Sequence, residues 1–234
     1  MPDLSPLHPI SLQAAALFRF DAEDRMVGTN EPDQDPAPRL FLGRTVEGNI
    51  WRLGHTVPSD LAADLSQRLN REPAATDLER PPDCLDDLHT MLEVQAPVTS
   101  AWSGPAWFIP DHVRPATEVD VRFMYDLDLL LEEFLHLAGT FPHQQPCAAV
   151  FADGRIASVC SSVRLTNAAA EAGLHTLSGY RGRGFGGAAT AAWSRAIRAS
   201  GRIPLYSTSW DNTASRRVAE KLDLVLYGAD LSIA

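Results

Sequence analysis

Tyr180-Arg181-Gly182-Arg183-Gly184-Phe185-Gly186-Gly187 is the stretch of this 234-residue chain whose reading decides the fold. Glycines at alternate positions, 182, 184 and 186, leave the backbone bare where a strand hands over to a helix. Only glycine takes up the positive-φ conformations of such a turn without penalty, and it lets another group approach the main chain closely. The first amides of the following helix then point outward, and the helix dipole favours an anion above them. Arg181 and Arg183 add positive charge beside those amides. Taken alone, the glycines fit either a phosphate cradle or a tight strand-to-helix corner.

The flanks extend the pattern. Upstream, residues 172–177 are short and largely apolar and end in Ser178-Gly179, which predicts a buried strand and its exit. Downstream, residues 185–200 are Ala-rich, Trp193 and Ile197 lie one helical turn apart, and Gly201 sits where a helix C-cap belongs. Residues 203–210 predict another strand. Asp211-Asn212 is placed to cap a second helix over 213–222, and Leu224 to Ile233 supplies a last strand or hairpin. The order is strand, glycine turn, helix, strand, helix, strand.

One solution for such a turn is a dinucleotide site, because Gly182, Gly184 and Gly187 satisfy G-x-G-x-x-G. That site needs an acidic residue about 20 positions on to hold a ribose hydroxyl. Between Glu171 and Asp211 there is no Asp or Glu, and no βαβ unit precedes the turn. The dinucleotide reading is disfavoured.

The other solution is acyl-CoA. Over roughly residues 117–234 the chain resembles the GNAT superfamily of N-acetyltransferases, whose cofactor motif Q/R-x-x-G-x-G/A is matched by Arg181, Gly184 and Gly186. Asn212-Thr213-Ala214-Ser215 followed by Ala219-Glu220-Lys221-Leu222 resembles that family's next helix, N-x-x-A…Y-E-K-L-G-F. The resemblance implies an α+β (mixed α/β) fold of the acyl-CoA N-acyltransferase type, preceded by an N-terminal α+β domain, with the division at 1–116 and 117–234. It implies acetyl-CoA as cofactor and CoA as product. Arg181, Gly182, Arg183, Gly184, Phe185, Gly186 and Gly187 would hold the phosphates. His175, Thr176 and Leu177 fall on the family's splayed strand, whose backbone pairs with the pantetheine arm, and Asn212 would lie near that arm or its sulfur.

Reading backwards, residues 119–123 alternate as a first strand, and residues 126–138 form an amphipathic helix closed by Gly139. Residues 146–152 and 155–165 read as strands joined at Asp153-Gly154, a strong hairpin signal. Residues 167–170 are a short connection into the strand that starts near Glu171. One helix stands where many members of the family have two.

Acetyl transfer from a thioester to an amine needs a neutral amine, a polarised carbonyl and a protonated leaving thiolate. A carboxylate near the amine removes its proton, often through water. Glu171 shares a strand face with His175 and Leu177 by period-two counting, and it stands where some members of the family carry a general-base glutamate. Its alternative is a solvated carboxylate at a strand start. His175, with an ordinary pKa near 6.5, is the other titratable candidate, or else a strand residue whose backbone meets cofactor. Seven residues after Asn212 the family has a tyrosine that protonates the thiolate, but this chain has Ala219 there, and Asp223 at the following glycine position. Tyr206, Ser209 and Tyr227 remain as acids, Tyr206 first; its alternative is a sheet residue packed under the helices. A thiol of pKa near 8.5 is also a tolerable leaving group with water alone. Carbonyl polarisation would come from a backbone N–H of the splayed strand.

Residues 1–116 carry no motif of known chemistry. An apolar helical run (Ile10 to Phe18) leads to a Pro- and Asp-rich loop at 31–38 and a hairpin over 39–54, turning at Glu47-Gly48-Asn49, between Leu42 and Trp51. A helix from Ser59 places Leu61, Leu65 and Leu69 on one face, and a second runs from Pro82 to Leu92. Pro81-Pro82 and Gly104-Pro105 read as breaks. The segment is either a small α+β domain or a degenerate second acetyltransferase copy, walling the acceptor side or forming a dimer contact.

Formal net charge is −10. Residues 117–234 hold 12 acidic and 11 basic residues, and the first 116 hold 18 and 9. Such an acidic surface favours a cationic small-molecule or peptide amine and works against nucleic acid; ordinary solubility is the plainer account. Cys84, Cys147 and Cys160 are few and set in apolar surroundings, which predicts reduced buried thiols, and the seven histidines show no metal-ligand spacing. There is no signal peptide and no 18-residue apolar run, so the expectation is a soluble cytoplasmic protein without a membrane partner. Homodimers are common in the family that the chain resembles. The function expected is an acetyl-CoA-dependent N-acetyltransferase using direct transfer and no metal; the alternative is a non-catalytic acyl-CoA-binding or regulatory module.

Overall fold

A computed structural model describes residues 5–114, 119–126, 134–137 and 139–234. The chain divides into two compact units. The first comprises Met1–Ala106, Ser207–Asp211 and Leu226–Ala234; the second comprises Trp107–Tyr206 and Asn212–Val225. The chain passes between the units within strands at 106/107, 206/207 and 225/226 and in a turn at 211/212, so neither unit is a single stretch ending at 116.

In the first unit, helix α1 (Leu7–Leu17) is followed by a small hairpin, β1 (Phe18–Phe20) and β2 (Met26–Thr29). Phe18 therefore opens a strand instead of closing the helix. β3 (Leu40–Thr45) and β4 (Gly48–Leu53) pair with Leu42 opposite Trp51, and Val46-Glu47 make the turn, one residue earlier than expected. The helices α2 (Ser59–Leu69) and α3 (Leu85–Glu93) bury Leu65, Leu69, Leu88 and Leu92 in one cluster with Leu40, Leu42 and Leu231. Glu72 caps α3: its carboxylate accepts from the N–H groups of Asp83 (2.8 Å) and Cys84 (3.0 Å), satisfying donors that a helix start leaves open.

The Gly104-Pro105 break does not exist. Both residues lie inside β5 (Ala101–Phe108). A Cβ on residue 104 would stand 1.8 Å from the carbonyl oxygen of Thr208, so glycine here serves close backbone approach. The carbonyl of Pro105 accepts from the Thr208 N–H at 3.4 Å.

In the second unit the strand order is β10-β9-β8-β7-β6, with β6 at Asp120–Met124, β7 at Cys147–Ala152, β8 at Arg155–Leu165, β9 at Ala169–Thr176 and β10 at Ile203–Ser207. β6 through β9 pair antiparallel, and β9 and β10 run parallel. Asp153 (φ 53°) and Gly154 (φ 79°) make the β7–β8 turn, as the Asp-Gly signal predicts. The expected helix over 126–138 falls mostly outside the described residues.

Helix α4 (Phe185–Ala199) covers one face of this sheet. Ala188, Ala189, Ala192, Trp193 and Ile197 pack with Ala148, Val150, Ala157 and Ala170. Small alanines bring the helix close to the strands, and Trp193 fills the remaining volume. Its indole N–H donates to Ser162 Oγ at 3.1 Å, the partner a buried indole needs. The opposite face carries a second cluster with Phe134, Leu137, Phe141, Cys147 and Val159. Helix α5 (Thr213–Lys221) and β11 (Val225–Ile233) complete the chain. β11 crosses to the first unit after Val225 and pairs there with β3, Ala229 opposite Arg44.

Candidate active site

The β9–β10 ladder is short. Its facing pairs are Ala169 with Ile203, Ala170 with Pro204 and Glu171 with Leu205. β9 continues to Thr176, still paired with β8 on its other edge, His175 opposite Val159 and Thr176 opposite Ser158. From Ala172 onward, β9 therefore presents a backbone edge that β10 no longer occupies. A strand edge of this kind offers its amides and carbonyls to an extended ligand.

The glycine turn closes one end of that opening. Leu177 leaves β9 with its N–H on the Ala157 carbonyl (3.0 Å), and a short helical turn spans Ser178–Tyr180. Gly182 (φ 79°) and Gly184 (φ 85°) both adopt the left-handed conformation that disfavours side chains, and Gly184 is the N-cap of α4. No side chain caps this helix. The amides of its first turn, at Phe185, Gly186 and Gly187, are thus presented together at the positive end of the dipole. Gly186 packs so closely on β9 that a Cβ would meet Thr176 Oγ1 at 3.2 Å and Leu174 Cδ2 at 3.4 Å. The bare turn, the uncapped helix start and the open strand edge fit an anionic head on an extended arm.

The two arginines already have partners. Arg181 Nε donates to the Thr176 carbonyl at 3.3 Å. Arg183 lies over the rings of Phe185 (4.8 Å) and Tyr180 (5.3 Å), and it approaches Asp153 of the β7–β8 turn at 3.7 Å. Both side chains are exposed, so their guanidinium groups stay within reach of an incoming phosphate.

Glu171 is 1% exposed. By period two it shares a strand face with Gly173 and His175, away from the α4 side to which Ala170 and Leu174 pack. The His175 ring stands edge-on to Phe134 at 5.5 Å, and its carbonyl accepts from Ser158 Oγ at 3.1 Å. Tyr206 is 2% exposed, and its hydroxyl donates to the Ser215 carbonyl at 3.4 Å across from α5, beside Trp107 at 6.0 Å. Burial raises its pKa, so the phenol stays protonated far into the alkaline range. Asn212 is the N-cap of α5: Oδ1 accepts from the Ser215 N–H at 3.1 Å, a capping role the sequence allows at this position. Ala219 is buried in the α4 cluster, so the position of the family's tyrosine is a packing position here.

Three features of the site went unread in the sequence. Val163 is an extra residue in β8: Ser162 faces Ala172 and Arg164 faces Glu171, leaving Val163 as a bulge. Gly173 receives that bulge, since a Cβ there would meet Val163 Cγ1 at 2.2 Å. An isolated glycine in a strand pattern was the available signal. The Asp153–Arg183 approach had none.

Residues 128–227 match the family model described as GNAT acetyltransferase. The resemblance of the C-terminal half therefore holds: this half is GNAT-like. No curated protein matches the chain. Among solved structures, a GNAT-family protein from Novosphingobium aromaticivorans is 21% identical, with 58% of this chain and 65% of that one covered and a TM-score of 0.49. A GNAT-family acetyltransferase from Colwellia psychrerythraea is 11% identical over 64% and 61%, with a TM-score of 0.47. A GCN5-related N-acetyltransferase-like protein from Streptococcus suis is 16% identical over 98% and 100%, with a TM-score of 0.48. The chain thus spans less than two thirds of the first two of these proteins. Among the described residues, no helix is long and apolar enough to cross a membrane, and no group of three or more His, Cys, Asp or Glu is placed to hold a metal ion.

Proposed function

We propose that the protein transfers an acetyl group from acetyl-CoA to a primary amine in a ternary complex. One observation carries this reading: the parallel ladder stops at Glu171 and Leu205, beside the uncapped, glycine-turned start of α4. The amides of Phe185, Gly186 and Gly187 receive the pyrophosphate, with Arg181 and Arg183 turning to it from their present partners. The open edge of β9 from Ala172 to Thr176 pairs with the pantetheine arm. Bound acetyl-CoA supplies a thioester carbonyl, an acyl carbon that an amine can attack.

Glu171 takes the proton of the attacking amine, directly or through water, as the new C–N bond forms and the C–S bond breaks. A backbone N–H of β9 polarises the carbonyl. Solvent returns a proton to the thiolate. Tyr206 is not assigned this task, because its hydroxyl is turned to Ser215 under α5. The excess of acidic residues in positions 1–116 supports a cationic acceptor, a small molecule or a peptide.

A second reading, an acyl-CoA-binding module without turnover, is favoured by Ala219 alone, since it removes the customary acid. Calorimetric titration with acetyl-CoA, CoA and, as control, NADH tests the common ground of both. Saturable binding of the CoA species that disappears in the Gly184→Asp, Gly186→Asp double variant is expected. Absence of CoA binding overturns both readings. Thiol release with a library of amines then separates enzyme from module.

A further inference from the structure

The β8 bulge sits beside the point where β9 and β10 part. Ser162 faces Ala172 and Arg164 faces Glu171, so the additional residue, Val163, stands level with the last β9–β10 pair. A bulge re-aims its side chain out of the regular alternation. Here Val163 leans across β9: its Cγ1 occupies space 2.2 Å from where a Cβ of Gly173 would be, and Cβ and Cγ2 lie 3.4 and 3.6 Å from the same point. Gly173 belongs to the face that carries Glu171 and His175. Val163 is only half-buried, so part of this isopropyl group borders open space. A glycine that keeps its own face empty and a neighbouring strand that fills it with a branched side chain make a fixed apolar stop.

We propose that Val163, seated on Gly173, limits the length of the acyl group that the site accepts, restricting it to acetyl. This rests on the acyl-CoA reading above. In that reading the acyl carbon must lie close to Glu171, because the amine that Glu171 deprotonates attacks it. An acyl chain longer than two carbons continues along the Glu171–Gly173 face and meets the Val163 methyls. Packed strands do not yield to a misplaced methylene without cost, and an apolar pocket distinguishes one methylene by roughly tenfold or more. Removing two methyl groups from residue 163 opens room of about the size that one or two further methylenes need.

The test is calorimetric affinity of the full chain for acetyl-, propionyl-, butyryl- and hexanoyl-CoA, with circular dichroism and thermal melting as a check on folding. For the wild type, affinity is expected to fall at least tenfold between acetyl- and butyryl-CoA. In Val163→Ala, butyryl-CoA should gain roughly tenfold while acetyl-CoA and CoA change less than threefold. The double variant Val163→Ala, Gly173→Ala restores a methyl group to the same space and should return the profile toward wild type, whereas Gly173→Ala alone collides with Val163. A wild-type profile that is flat with chain length, or one that Val163→Ala leaves unshifted in a folded protein, overturns the proposal. If neither protein binds any CoA species, the acyl-CoA reading itself has failed, and CoA as control makes that outcome separate from the others.

Discussion

Glu171 and Leu205 face each other as the end of the parallel β9–β10 ladder, and the chemistry proposed above begins where their pairing stops. Up to that pair the facing edges of the two strands are bonded to one another. Beyond it β9 keeps β8 as partner but is open on its other edge. The same residue thus marks the structural fork and carries a buried carboxylate there.

The first prediction concerns that carboxylate. Glu171→Gln keeps the shape and removes the base, so turnover with the best amine should fall by about 10²- to 10⁴-fold, the usual contribution of a general base. Affinity for acetyl-CoA should stay within about threefold. Measured kcat values close to wild type would take the role away from Glu171, and an equal loss in cofactor affinity would make it a structural residue.

Gly184 inverts a familiar rule. Serine at an N-cap ordinarily matches or exceeds glycine in stability, because its hydroxyl serves a first-turn amide. At φ 85° a serine is strained by roughly 1–2 kcal/mol, and its hydroxyl would occupy the amides that the pyrophosphate needs. Gly184→Ser should therefore lower both the melting temperature and the affinity for CoA, the latter by tenfold or more. A stabilised variant with unchanged affinity would show that the turn is only a corner.

Much of the second unit was legible because its signals are local. The Asp153-Gly154 turn, the Ala-rich helix with Trp193 and Ile197, and the cap at Asn212 each depend on residues a few positions apart. β5 was not legible, because a Gly-Pro pair ordinarily marks a turn or loop, and the meaning of Gly104 here comes from Thr208, more than a hundred residues away. The Val163 bulge likewise depends on Gly173 across the ladder. Arg181 and Arg183 were read as positive charge beside the helix-start amides; the partners the structure gives them, a carbonyl for one and two rings and Asp153 for the other, lie outside that local pattern. Asn212 was read both as a helix cap and as a neighbour of the ligand's arm, and its oxygen makes the cap on the Ser215 N–H. Sequence spacing specifies which groups are near a turn, and long-range packing decides which way they point.

Tyr206 offers a test of that last distinction. Tyr206→Phe removes a hydroxyl that is buried and bonded only to the Ser215 carbonyl at 3.4 Å among the described contacts. Loss of such a neutral bond costs about 0.5–1.5 kcal/mol in stability. With solvent protonating the thiolate, kcat should remain within about threefold of wild type across pH 6–9 (ordinary assay conditions, below any tyrosine titration). A drop of a hundredfold together with a lost alkaline limb in the pH profile would make Tyr206 the acid after all.

The buried thiols give a prediction on stability. Cys147 pairs with Ser161 across the β7–β8 ladder, is fully buried, and burial pushes its pKa up to about 12. The folded state therefore holds the thiol proton to higher pH than the unfolded chain, which releases it near its ordinary value of about 8.5. Stability linked to this proton is fully present below that value and is lost as pH rises toward about 12. Cys84, pushed up to about 12 by burial and by the Glu72 carboxylate beside it, acts in the same direction in the first unit. Denaturant unfolding at pH 7, 9 and 10.5 should show a progressive decline above pH 9, less steep in Cys147→Ala, with neither thiol reacting with a disulfide reagent at pH 8 until the protein unfolds. An equal alkaline slope in Cys147→Ala, or rapid labelling of the native protein, would mean that these cysteines are not held in the core as described.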